Sequence, residues 1–234
     1  MLTAIQNHIR RQRRRIMYRI VTPLRIAGKP KIFCIGRNKT GTTSMKRAMQ
    51  ELGFTVGNQR QAELLIDDWA RRDFRRLIKL CKSARFFQDA PFSYPFTYII
   101  MDQAFTGSKF ILTVRDSAEQ WYNSLVRFHA RKWGQNGCPP TKEELRNARY
   151  RYRGWAWQAN RIRAVTPEDD LYNKELLIRD YERHNENVLD YFRHRPDDLL
   201  ILNVAEKNSY RKLTDFLGLP PASSAEFPWE NKSM

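Results

Sequence analysis

The sequence predicts an α/β protein built on a central parallel sheet of about five strands flanked by helices. Strand-sized apolar runs alternate along it with helical patterns long enough to serve as crossover connections. One run, residues 32–35, empties directly into a loop bounded by Gly36 and Gly41, and a helical pattern follows. A chain of 234 residues with 41% apolar content can bury one substantial core. The expected organisation is therefore one catalytic-size domain over residues 30–234 behind a basic arm over residues 1–29.

The elements follow in order. Residues 32–35 form the first strand. The helix over 42–52 rests on Met45, Ala48, Met49 and Leu52, spaced i, i+3, i+4, i+7, with Gly53 as its stop. Further strands are expected at 54–56, 85–87, 110–114 and 199–203. Helices are expected at 62–81 with a break near Arg72, at 94–105, 142–165, 174–193 and 209–217. A helix over 118–132 carries Trp121, Leu125 and Phe128 on one face, with Asp116 and Glu119 suited to its start. Residues 133–141, rich in Gly, Asn and Pro, read as a loop able to border a substrate opening.

The loop after the first strand is the most informative segment. Gly36 and Gly41 tolerate backbone angles that turn successive N–H groups inward, forming an anion nest at a helix N-terminus. Thr42, Thr43 and Ser44 fall in the first helical turn and add hydroxyls there. A nucleotide-triphosphate loop places lysine directly after its second glycine. Here Thr42 takes that slot and Lys39 lies inside the loop, where its ammonium can meet negative charge on a leaving oxygen.

The core Lys39-Thr40-Gly41-Thr42-Thr43 resembles the 5'-phosphosulfate loop of sulfotransferases that use 3'-phosphoadenosine 5'-phosphosulfate. That resemblance implies a three-layer fold like that of P-loop NTPases, with the loop strand central. It gives Lys39 the contact with the sulfate-bridging oxygen, and Arg37, Asn38, Thr40, Gly41, Thr42, Thr43 and Ser44 the pocket wall. The run from Lys109 to Asp116 resembles the family's 3'-phosphate motif, a strand ending in Arg115 with a serine on the next helix. The family's usual separation is eight residues, which falls on Asn123, whereas Ser124 lies one further; either can be the helix ligand. Weaker likenesses at 86–92, 181–185, 199–203 and 216–220 extend the match over roughly residues 30 to 230. The family needs no metal, so none is expected.

Transfer to a hydroxyl also requires a base within hydrogen-bond reach of the acceptor. Asp89 is a candidate because it follows the 85–87 strand, although an Asp there also suits a cap on the turn before Pro91. His129, one turn beyond Leu125, is the other. His184 reads as a packing residue. The segment from Arg149 to Trp157 interleaves cations and aromatics; it reads as core packing at helical spacing, or alternatively as a stacking platform for a ring.

A formal net charge of +17 predicts attraction to anions without choosing among a nucleotide, an acidic acceptor, nucleic acid and a membrane. Arginines crowd the first 25 residues with isoleucines interleaved, so this arm is either a solvated tail or a peripheral contact with anionic lipid. The apolar runs are far too short to span a bilayer, no secretory pattern is evident, and Cys34, Cys81 and Cys138 lack disulfide or zinc spacing. A cytoplasmic, reducing setting is expected, with a small-molecule or saccharide acceptor and no nucleic-acid partner. An ATP–magnesium phosphotransferase is disfavoured by Thr42, and a basic nucleic-acid-binding protein leaves the loop unexplained.

Overall fold

The computed structural model describes residue 26, residues 28–220 and residues 227–228, so nearly all of the basic arm lies outside the described residues. Four strands form one parallel sheet: β1 (Ile32–Cys34), β2 (Phe86–Phe87), β3 (Lys109–Thr113) and β4 (Leu199–Leu202), in the spatial order β2-β1-β3-β4. Phe33 is paired with Phe87 on one side and Phe110 on the other, so the strand that feeds the loop is interior.

Side-chain alternation along the strands splits the core into two layers. Phe33, Ile35, Phe110 and Leu112 point to one face, where they meet Met101, Val188 and Phe192. Ile32, Cys34 and Ile111 point to the other, against Met45, Met49 and Leu213. The first face is covered by α4 (Arg75–Cys81), α5 (Thr97–Ala104) and α9 (Lys174–Phe192); the second by α1 (Thr42–Glu51) and α10 (Ser209–Phe216). A sheet covered on both faces needs continuously apolar strands, which is why these runs were legible.

The fifth expected strand, at 54–56, does not form. Only Val56 makes a single parallel bridge to Phe86. The stretch runs between Gly53, at φ +80°, and Gly57, and its contact with the edge of β2 stays at that bridge, with Thr55 O accepting from the N–H groups of Arg85 and Phe86 and Gly57 N–H donating to Phe86 O. The expected helix at 62–81 is three short ones, α2 (Gln59–Glu63), α3 (Ile66–Ala70) and α4, with Arg72 at φ 61° at the break. The expected helix at 142–165 is also divided, into α7 (Lys142–Asn147) and α8 (Trp155–Arg163). Between them Arg149 and Arg153 form an antiparallel bridge, and Gly154 starts α8 at φ 84°, a conformation that disfavours any side chain. The remaining helix, α6 (Ala118–Trp133), follows β3 as expected.

Beyond the carboxyl ends of the strands, α3, α7 and α8 enclose a separate apolar cluster around Trp69, Tyr94, Leu145 and Trp155. Trp155 is buried there and its Nε1 donates to the Glu63 carbonyl at 3.0 Å. The Arg149–Trp157 segment thus supplies an inner aromatic anchor and an outer basic bend. Among the described residues no helix is long and apolar enough to cross a membrane.

Phe33 is completely buried and has the rings of Phe87, Phe92, Phe105 and Phe110 within 5.6–6.1 Å. Phe33→Ala should therefore lower unfolding stability by about 3–5 kcal/mol in urea titration.

Candidate active site

The loop is held from below and behind. Ile35 N–H still donates to Ile111 O at 2.9 Å, so β-pairing continues up to the turn. A Cβ on Gly36 would run into the Thr113 backbone; glycine lets the chain pass that close. Thr40, fully buried, donates its hydroxyl to Arg37 O at 2.5 Å and lies 2.6 Å from Thr113 Oγ1. Arg115 Nε donates to Lys39 O at 2.8 Å, and Trp121 Nε1 donates to Asn38 O at 3.0 Å. Trp121 is itself stacked on Tyr181, whose hydroxyl accepts from Arg115 N–H at 3.1 Å. Two carbonyls in a row are thereby held by the strand–helix segment that follows β3.

Lys39 at φ 74° and Gly41 at φ 98° make the left-handed turns that close the loop onto α1. A Cβ at Gly41 would also overlap Val204. The first turn of α1 has no side-chain cap and no acidic residue. Its leading N–H groups have no intrahelical partner, and the helix dipole adds positive potential there.

This loop forms one wall of a cavity of about 850 Å3 at the carboxyl ends of the strands. Residues 37–44 line it except for Thr40, whose side chain is turned into the loop's underside. Asp89, Arg115, Ser124 and His129 line it too, whereas Asn123 is exposed and off the wall.

Lys39 extends over the face of Phe128, with Nζ 3.8 Å from the ring centroid. Burial, followed by the positive charges of Arg115 and Arg131, lowers its pKa to about 8. Arg37 differs from the expected free phosphate ligand. It is 1% exposed, and its guanidinium donates from Nη1 to Ser93 O at 2.8 Å and from Nη2 to Asp180 Oδ2 at 2.9 Å. Arg163 pairs with the same oxygen of Asp180.

Asp89 stands at φ 54° just past β2. Its backbone carbonyl, not its carboxylate, closes the turn by accepting from Ser93 N–H at 2.9 Å. Oδ2 accepts from Gln88 Nε2 at 3.2 Å, while Oδ1 is buried with no partner. Burial raises its pKa to about 6, with the Glu63 charge adding to the rise and the Thr42 hydroxyl and Lys39 opposing it. His129 has Nδ1 2.9 Å from the Tyr172 hydroxyl. Burial, then Lys39, Lys132 and Arg163, lower its pKa to about 3, so it is a neutral but weak base. His184 lies beneath the site, donating from Nε2 to Ile35 O at 2.8 Å.

Several residues in or behind the wall were not assigned to the site from the sequence. Glu63, buried in α2, pairs with Arg151 and accepts from Gln59 at 3.2 Å. Arg163 and Asp180 become neighbours only when α8 and α9 pack. Trp121 was legible as an apolar helix position, but not as a clamp on the loop. Among the described residues no group of three or more His, Cys, Asp or Glu is arranged to hold a metal.

The sulfotransferase-domain family model matches residues 31–234, and the chain belongs to that family. Sulfuryl transfer is the general chemistry that this membership carries. No curated protein matches the chain.

Asp89 gives a stability signature. Its folded pKa of about 6 exceeds the ordinary 3.8, so between those values the folded protein holds a proton that the unfolded chain has released. This group's contribution is therefore greatest at low pH and is lost as pH rises toward about 6. Asp89→Asn should raise unfolding stability at neutral pH by on the order of 1–2 kcal/mol and leave it nearly unchanged near pH 4, measured by urea titration.

Proposed function

We propose that the chain transfers a sulfuryl group from 3'-phosphoadenosine 5'-phosphosulfate to a hydroxyl or amine of a small-molecule or saccharide acceptor. The observation that carries this reading is the meeting, in one cavity, of an ammonium held inside the loop and an unpartnered carboxylate oxygen, on Lys39 and Asp89. The uncapped first turn of α1 and the cationic wall fit an anionic donor. When bound, that donor supplies a sulfur already joined to a phosphate leaving group.

The chain's residues then divide the work. Amides and hydroxyls of Thr42, Thr43 and Ser44 hold the 5'-phosphate side. Arg115 and Ser124 take the 3'-phosphate; Ser124 is preferred to Asn123 because it faces the cavity. Asp89 Oδ1 receives the acceptor's proton as its oxygen bonds to sulfur. Lys39 offsets the charge on the bridging oxygen as the bond from sulfur to it breaks. The products are the sulfated acceptor and 3'-phosphoadenosine 5'-phosphate. Asp89 is preferred to His129 because a group with a pKa of about 6 is both ionised and adequately basic near neutrality, whereas one of about 3 holds a proton poorly. We assign the arm over residues 1–29 to peripheral contact with an anionic membrane surface, in a cytoplasmic setting without nucleic acid.

Three measurements test this. 3'-Phosphoadenosine 5'-phosphate should raise the melting temperature without magnesium while ATP with magnesium does little; the reverse pattern would favour phosphoryl transfer. Lys39→Ala should reduce kcat by about a hundredfold or more with the fold retained. The pH profile of kcat/KM should be bell-shaped, rising through about 6 as Asp89 ionises and falling through about 8 as Lys39 loses its proton. A profile without the acid limb would remove Asp89 as the base.

A further inference from the structure

The cavity wall carries seven Lys and Arg side chains against two carboxylates, Glu63 and Asp89. Glu63 is already paired with Arg151. Lys39 and Arg115 are accounted for by the donor. A different imbalance lies behind the wall, at Asp180, which pairs with the lining residues Arg37 and Arg163.

Asp180 is 3% exposed and faces three guanidinium groups: Arg37 and Arg163 on Oδ2, and the largely exposed Arg183 at 3.5 Å from Oδ1. One carboxylate cannot balance both the buried Arg37 and Arg163, whose side chain is 19% exposed at the cavity wall. The Nε atoms of both Arg37 and Arg163 are buried without a hydrogen-bond partner. A cation in excess of its counter-ions and partly withdrawn from water gains when an anion completes it. Arg37 is fixed beneath the loop by Ser93 and Asp180. Arg163 instead ends α8, the helix that lines the cavity with Trp155, Ala156, Ala159 and Asn160. That wall belongs neither to the phosphate loop nor to the strand and helix bearing Arg115 and Ser124. The guanidinium lies 5.7 Å from the Tyr94 ring centroid, so an aromatic surface borders the same spot.

The geometry points to an acceptor that carries a carboxylate besides the hydroxyl that is sulfated, with Arg163 binding that carboxylate. The inference rests on the sulfotransferase reading and deepens it. Guanidinium suits the task because its planar donors match a carboxylate edge and it keeps its charge when buried. Lys132, exposed on the rim at 3.8 Å from the Tyr150 ring centroid, adds positive potential along the approach.

The experiment compares labelled-sulfate transfer to matched pairs, para-hydroxybenzoate with para-hydroxybenzamide and methyl glucuronide with methyl glucoside. It uses the full chain and the variants Arg163→Met and Arg163→Lys, and it measures the affinity for 3'-phosphoadenosine 5'-phosphate in each. In at least one pair the carboxylate should exceed its neutral partner about tenfold or more in kcat/KM. Arg163→Met should erase that preference, Arg163→Lys should restore part of it, and nucleotide affinity should stay unchanged. Equal or better use of the neutral partners overturns the inference, as does a preference that survives in Arg163→Met. No turnover of either carboxylate by protein that binds the nucleotide also overturns it. A loss of nucleotide affinity in both variants would reassign Arg163 to the donor. Failure of the unaltered chain to bind the nucleotide would instead remove the sulfotransferase reading beneath it.

Discussion

The site depends on two hydrogen bonds that fix the orientation of the loop's carbonyls. Arg115 and Trp121, six residues apart on the segment after β3, donate to the carbonyls of Lys39 and Asn38. A peptide plane whose oxygen is fixed on one side presents its N–H to the other, so these bonds decide which way the loop is polarised. Thr40 performs the corresponding task from below through Thr113. The two sequence motifs are thus one mechanical unit, and the Trp121–Tyr181 stack ties that unit to α9.

Electrostatics then sets the character of the cavity. Lys39, Arg115 and Arg131 crowd a partly dry space, and burial followed by those neighbouring charges lowers the pKa of Lys39, with Asp89 opposing. Asp89 is in the opposite position, a carboxylate whose own burial outweighs the nearby cations and leaves it basic enough to accept a proton.

Much of this was legible in the sequence, for reasons that also explain the gaps. Strands covered on both faces must be apolar throughout, so β1 and β3 announced themselves. The 54–56 stretch, Phe-Thr-Val, also offered strand-forming residues, but its contact with the edge of β2 stops at a single bridge. The division at Gly154 was masked because the aromatics on either side of it, Tyr150 and Trp155, join one apolar cluster. In the site, Lys39 with Thr42 could be read from the spacing of the loop, and Arg115 with Ser124 was suggested by the resemblance to the family's 3'-phosphate motif. Glu63, Arg163 and Asp180 could not, since three separate helices bring them together and no local pattern encodes that meeting. Arg37 was visible, yet its engagement with Asp180 was not.

The aromatic face beneath Lys39 has a consequence for timing. A free lysine chain samples many rotamers, and ordering it costs up to about 2 kcal/mol. With the ammonium resting on Phe128, that ordering is complete before any ligand arrives. The disorder that most flexible cations must surrender on meeting an anion has here been reduced during folding, so in the proposed reaction Phe128 would act on speed without touching a reacting atom.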